Sequence, residues 1–129
     1  MTTFGVGIDV VDVARFARAL ERHPRLTTRL FTEHELDAAR SRPERLAARF
    51  AAKEAILKSL RVGLGAAPWR AMEIRTDSSG APSVQLHGAA AALATTNGVR
   101  HLHVSLTHTP TTAAAIVVAS CAFEVARAR

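Results

Sequence analysis

Between Pro43 and Arg61 apolar side chains recur at helical spacing, with Leu46, Phe50, Leu57 and Leu60 forming one stripe. Proline suits the first turn of a helix, where its missing N–H has no bond to lose. The run Val62-Gly63-Leu64-Gly65 ends the pattern. The spacing predicts a helix over 43–61, long for a small domain, and its apolar stripe must be buried against another layer.

The remaining segments supply that layer. Residues 3–10 read as a short buried strand interrupted by glycine. Asp12 caps a helix running to Glu21, with Val13, Phe16, Ala17 and Leu20 on one face, and Pro24 breaks it. Thr32-Glu33-His34-Glu35 fits a capping box opening a second helix through Arg40. Strands are expected at 70–76 and 83–87 around the turn Asp77-Ser78-Ser79-Gly80, then an alanine-rich helix over 88–96 closing at Asn97-Gly98. The last two strands are 101–107, which alternates, and 112–120, a continuous Ala/Ile/Val run of the kind found in central strands. The tail from Glu124 is expected to fray. The expected fold class is α+β, an antiparallel sheet packed on one long helix, with residues 1–129 as a single domain.

A chain with 48% hydrophobic and 22% charged residues is not a disordered one. No apolar run approaches the roughly 20 residues of a membrane helix, and no export signal is evident, so a cytoplasmic location is expected. The single cysteine, Cys121, excludes an internal disulfide and a cysteine zinc cluster and reads as a small core residue. Seventeen Lys and Arg against 11 Asp and Glu give a net charge of +6, which points to an anionic partner.

Against that cationic background two carboxylates stand out. Asp9 lies between Ile8 and Val10, where a carboxylate is costly unless paired or bound to a cation. Asp12 is available as the helix cap, which leaves Asp9 short of a structural task. Glu54 borders the apolar stripe one turn after Phe50 and one turn before Lys58. By spacing alone Glu54 and Lys58 are a helix-surface ion pair. The alternative makes Glu54 a ligand for magnesium, a hard cation that takes oxygen ligands, and Lys58 a phosphate contact. His108 ends a strand after Val104-Ser105-Leu106-Thr107, where a histidine is more often a surface group than a ligand or catalytic one. His101 and His103 alternate on one strand face without a third ligand and are read as non-functional.

Four stretches carry a resemblance: Val6-Gly7-Ile8-Asp9-Val10-Val11-Asp12-Val13-Ala14-Arg15-Phe16, Phe31-Thr32-Glu33-His34-Glu35-Leu36, Ala48-Arg49-Phe50-Ala51-Ala52-Lys53-Glu54-Ala55-Ile56-Leu57-Lys58 and His103-Val104-Ser105-Leu106-Thr107-His108. In their order and spacing they strongly resemble the holo-acyl-carrier-protein synthase family of 4′-phosphopantetheinyl transferases, over nearly the whole chain. The resemblance implies a magnesium-dependent enzyme of fatty acid, or polyketide, biosynthesis. It would move the phosphopantetheine of coenzyme A onto a serine of an acyl carrier protein and release adenosine 3′,5′-bisphosphate. It also implies that Asp9 and Glu54 bind magnesium, that Glu54 and Lys58 are catalytic, and that Lys58, Gly63 and His108 contact coenzyme A. Arg15 would dock the acidic carrier. The short members of the family form trimers with active sites between subunits, which suits a chain too small to enclose coenzyme A alone.

Two departures mark this sequence. Arg61-Val62-Gly63 stands where the family usually has a Gly-Thr-Gly-like segment, and Thr109 follows His108 where many relatives carry an acidic residue. The proton acceptor for the serine stays open between Glu54 and a water at the metal. The competing reading is a non-catalytic basic module for nucleic acid or an acidic protein. It explains the charge but not the placement of Asp9 and Glu54, and an aromatic content of 5% without tyrosine offers few platforms for stacking bases.

Overall fold

The computed structural model describes residues 1–122, so the tail expected to fray from Glu124 lies outside the described residues. In chain order the elements are β1 (Thr2–Asp12), α1 (Val13–Arg22), α2 (Leu26–Leu30), α3 (Glu33–Ala39), α4 (Pro43–Ser59), β2 (Met72–Thr76), β3 (Pro82–Leu86), α5 (Gly88–Thr96), β4 (Val99–His108) and β5 (Thr112–Cys121). A 3₁₀ turn at Trp69–Ala71 occupies the place where the second strand was expected to begin.

The class is α+β, as the sequence implies. β5, the continuous apolar run, is the central strand of an antiparallel sheet ordered β1-β5-β4. The β2–β3 hairpin forms a separate two-stranded sheet. α4 crosses the inner face of the three-stranded sheet and is buried almost all round, because Ala47, Ala48, Ala51, Ala52 and Ala55 extend the expected stripe to the other faces. It ends at Ser59, two residues before the predicted boundary, and Arg61 takes a left-handed φ of 61°. The Arg61 guanidinium lies over the Phe4 ring, 4.6 Å from its centroid, and donates to the Phe4 carbonyl at 2.6 Å. That residue is therefore anchored to β1 and not held out toward a phosphate.

α4 approaches β1 so closely that glycine is required at the seam. A Cβ at Gly5 would overlap the carbonyl oxygen of Ser59, and one at Gly7 would overlap that of Ala55. Backbone oxygens of a buried helix cannot move aside cheaply.

A second tie joins α4 to the other helices. The capping box read from the sequence is present: Thr32 accepts from the Glu35 N–H and Glu35 Oε1 from the Thr32 N–H. The same Glu35 is wholly buried and has further partners. Its Oε1 accepts from Lys53 Nζ at 2.8 Å, and its Oε2 from the Ile74 N–H of β2 at 2.8 Å. Lys53 Nζ also donates to the Trp69 carbonyl at 3.0 Å. Burial holds the Lys53 ammonium below its ordinary pKa, against the opposing pull of Glu35. α2, a five-residue helix with no side-chain cap, was not anticipated, since one turn is too short to show a period.

Gly7→Ala is expected to lower unfolding stability by about 3 kcal/mol or to prevent folding, as overpacking does in a closed core. Gly63→Ala, where an added Cβ meets nothing within 4 Å, should cost less than about 1 kcal/mol. Chemical denaturation of the two variants measures the contrast.

Candidate active site

Along β1 the residues facing α4 are Gly5, Gly7, Asp9 and Val11, at the two-residue period of a strand. The two glycines bring strand and helix together, and Asp9 is the next side chain in that row. Its carboxylate therefore enters the seam instead of reaching solvent, and its side chain is 15% exposed. From α4, Glu54 and Lys58 meet it one turn apart. Lys58 Nζ donates to Asp9 Oδ1 at 3.2 Å and to the Ile8 carbonyl at 2.9 Å. Where spacing alone read a Glu54–Lys58 surface pair, Lys58 is paired with Asp9, and Glu54 stands beside them within the influence of both charges.

Its charge balance is incomplete. Asp9 Oδ2 is buried and has no hydrogen-bond partner in the structure. Glu54, half-buried beside it, has its carboxyl pushed up to about 7, chiefly by burial, then by its contact with the Asp9 carboxyl and the charge there, with Lys58 opposing. Two carboxylates and one ammonium leave room for a further positive charge. A magnesium ion fits this donor set: the ligands are oxygen only, one carboxylate oxygen is orphaned, and two protein carboxylates are what magnesium typically takes from a protein. Among the described residues no group of three or more His, Cys, Asp or Glu side chains is placed to hold a metal. A closed, zinc-like cage of protein ligands is absent from that part of the chain.

Arg15 and Glu54 share one groove of about 390 Å³, whose walls include Val10, Phe16 and Phe50. The Phe16 ring stacks on Phe50 at 5.2 Å, and Phe50 lies 5.2 Å from Trp69. This aromatic row forms a stiff floor between α1 and the carboxylates. Sequence reading used Phe50 only as a core residue. Its position one turn before Glu54 was the available signal that it also borders the site.

His108 is not brought to this cluster. It lies at the end of β4, opposite Ala113, beside a separate cavity of about 470 Å³ lined by Glu44, Thr109 and Pro110. Glu44 is in the first turn of α4 and Glu54 is ten residues further on, about 15 Å along the helix axis. Within one chain the sheet register sets Leu106, not His108, level with Asp9 through Ala115, so the histidine stands two residues further along, toward the first turn of α4. Gly63 lies in the exposed loop after α4, with open space around it. The position in that loop that needs glycine is Gly65, with a φ of 89°, and the sequence reading did not single it out.

Residues 5–118 match the family model described as the 4′-phosphopantetheinyl transferase superfamily, and the chain belongs to that family. Its curated relatives include a holo-[acyl-carrier-protein] synthase of Clavibacter sepedonicus, 51% identical over 88% of this chain and 92% of that protein. A synthase of the same description from Moorella thermoacetica is 45% identical over 91% and 94%. Among solved structures, the holo-[acyl-carrier-protein] synthase of Helicobacter pylori in complex with coenzyme A superposes with a TM-score of 0.81 at 27% identity, covering 89% of this chain and 99% of that one. The acyl carrier protein synthase of Mycobacterium tuberculosis is 36% identical, with a TM-score of 0.71 over 93% and 99%.

Proposed function

We propose that this chain is a holo-[acyl-carrier-protein] synthase. It transfers the 4′-phosphopantetheine of coenzyme A to a serine of an apo acyl carrier protein, as a step in fatty acid, or polyketide, biosynthesis. The observation that carries the reading is the Asp9–Glu54–Lys58 cluster with its orphaned carboxylate oxygen, in a chain of this family. The non-catalytic basic module gives no account of those half-buried acids and has no support from the relatives.

In this reading Asp9 and Glu54 hold magnesium, which when bound neutralises charge on the coenzyme A pyrophosphate. Lys58, more than half exposed and anchored on the Ile8 carbonyl, offers its remaining donor capacity to phosphate. The serine hydroxyl gives its proton to Glu54 or to a water, its oxygen forms a bond to the β-phosphorus, the bond from that phosphorus to the bridging oxygen breaks, and adenosine 3′,5′-bisphosphate leaves with the electron pair. Such a transfer depends mainly on positioning and charge neutralisation. Arg15, at the rim of the groove that leads to Glu54, docks the acidic carrier.

Gly63, in the loop after α4, contacts coenzyme A in this reading, and His108 does so across a subunit boundary. Two observations support self-association, read here as a homotrimer. The first is the separation of His108 from the carboxylates along α4. The second is the outer face of the three-stranded sheet, where Val6, Ile8, Val10 and Ile116 are all exposed and Ile8 pairs with Ile116 in register. An apolar patch of this kind marks an interface, and further copies of this chain fit it because they supply the missing histidine. A cytoplasmic location, residues 1–129 acting as a single domain and the absence of a nucleic-acid role belong to the same reading. No helix of the described residues is long and apolar enough to cross a membrane.

The decisive assay incubates the protein with coenzyme A, magnesium and an apo carrier protein and weighs the carrier by mass spectrometry. A phosphopantetheine mass gain is expected, and its absence on several carriers would sink the proposal. Glu54→Gln should lower the rate by roughly two orders of magnitude or more with the fold intact; full activity would refute the metal assignment. Arg15→Glu is expected to raise KM for the carrier about tenfold while barely changing that for coenzyme A, the pattern of a lost steering charge. Ile8→Glu should convert the assembly to monomers in light scattering and abolish transfer together with assembly.

A further inference from the structure

Lys53 is wholly buried in α4 and is not among the walls of the groove at Glu54. Its ammonium has three N–H donors. One goes to Glu35 Oε1 at 2.8 Å and another to the Trp69 carbonyl at 3.0 Å. The centroid of the Phe31 ring lies 5.6 Å from the same nitrogen, within cation–π range. Trp69 and Phe31 are the two ends of an aromatic row. The Trp69 ring packs on Phe50 at 5.2 Å, Phe50 stacks on Phe16 at 5.2 Å, and Phe16 meets Phe31 edge-on at 6.3 Å. The four rings and the ammonium therefore close a circuit in which Lys53 joins the ends. Phe16 and Phe50, the middle members, are walls of the groove that Arg15 and Glu54 share.

We infer that Lys53 is a positioning residue for the carrier groove: by holding the Trp69 carbonyl and the Phe31 ring at one point, it sets the tilt of Phe50 and Phe16, against which the carrier protein docks. An ion pair is a poor way to fill buried space for stability alone. Apolar side chains in its place are often neutral or stabilising, because the desolvation of two charges disappears. What an ammonium supplies and a methyl group does not is direction. Rings packed by dispersion can slide past one another with little loss, whereas a hydrogen bond weakens steeply once its angle is lost. The bond to the Trp69 carbonyl fixes the 3₁₀ turn Trp69–Ala71, and with it the indole that Phe50 rests on. Glu35 is the counter-charge that makes a buried ammonium tolerable at this point, and it is itself tied to β2 through the Ile74 amide. The docking partner is the one named by the transferase reading, on which this assignment rests; the circuit of rings is independent of it.

Combining Glu35→Gln with Lys53→Met in the full-length protein removes both charges and the bond to Trp69. This double variant is expected to fold, to raise KM for the apo carrier about tenfold and to keep KM for coenzyme A within about twofold of the parent's. Trp69 is the single tryptophan of a chain without tyrosine, so intrinsic fluorescence reads the row directly. Its emission should move to longer wavelength in the double variant, with stronger quenching by acrylamide. Phe50→Leu, which breaks the row and leaves the ion pair in place, should reproduce the split between the two KM values. A parent protein that transfers nothing would sink the transferase reading and leave the fluorescence comparison to decide the role of Lys53. A double variant that does not fold would assign the pair to stability and overturn the positioning role. An unchanged carrier KM, equal rises in both KM values, or Trp69 emission identical to the parent's would overturn it as well.

Discussion

The close approach of β1 to α4 governs the rest of the molecule. Two glycines let a strand lie against the backbone of a buried helix, with no side chain between them at Gly5 and Gly7. That contact has little hydrophobic area of its own. What it supplies is distance: the first side chain beyond the glycines, Asp9, arrives within hydrogen-bonding reach of a lysine that α4 carries one turn after Glu54. In a looser seam the same carboxylate would be solvated, and neither its orphaned oxygen nor the upward displacement of Glu54 would arise.

The helix must also be held at one rotational setting, and the buried Glu35–Lys53 pair contributes to this. A buried ion pair is a doubtful source of net stability, because desolvation offsets the attraction. Here the carboxylate has three donors, the Thr32 and Ile74 amides and the Lys53 ammonium, and both of its oxygens are engaged. Lys53 and Glu54 are neighbours in sequence and face opposite layers, one toward α3 and β2, the other toward β1. Fixing the first fixes the second.

Much of this was legible in the residues themselves. The long helix, the hairpin, the central position of β5 and the Thr32 capping box follow from period, turn chemistry and cap residues. The pairing of Asp9 with Glu54 and Lys58 was signalled by carboxylates at apolar-flanked positions, and the family resemblance joined them. Other features left no local trace. The second role of Glu35 depends on a lysine 18 residues away and an amide 39 residues away, which no local window contains. The anchoring of Arg61 on Phe4 spans 57 residues. α2 is too short to show a period, and the place of His108 beyond the level of Asp9 depends on the pairing of β4 and β1 with β5.

The alternation along β1 has one more implication. Because inward and outward positions interleave, sliding the strand by a single residue would drive Val6 and Ile8 into the helix backbone and turn Asp9 outward. There is accordingly no intermediate alignment in which the strand is nearly right and the carboxylate nearly placed. The Asp9 carboxylate is under the same all-or-none control as the register of the sheet, so quality control of the fold doubles as quality control of its cluster with Glu54 and Lys58.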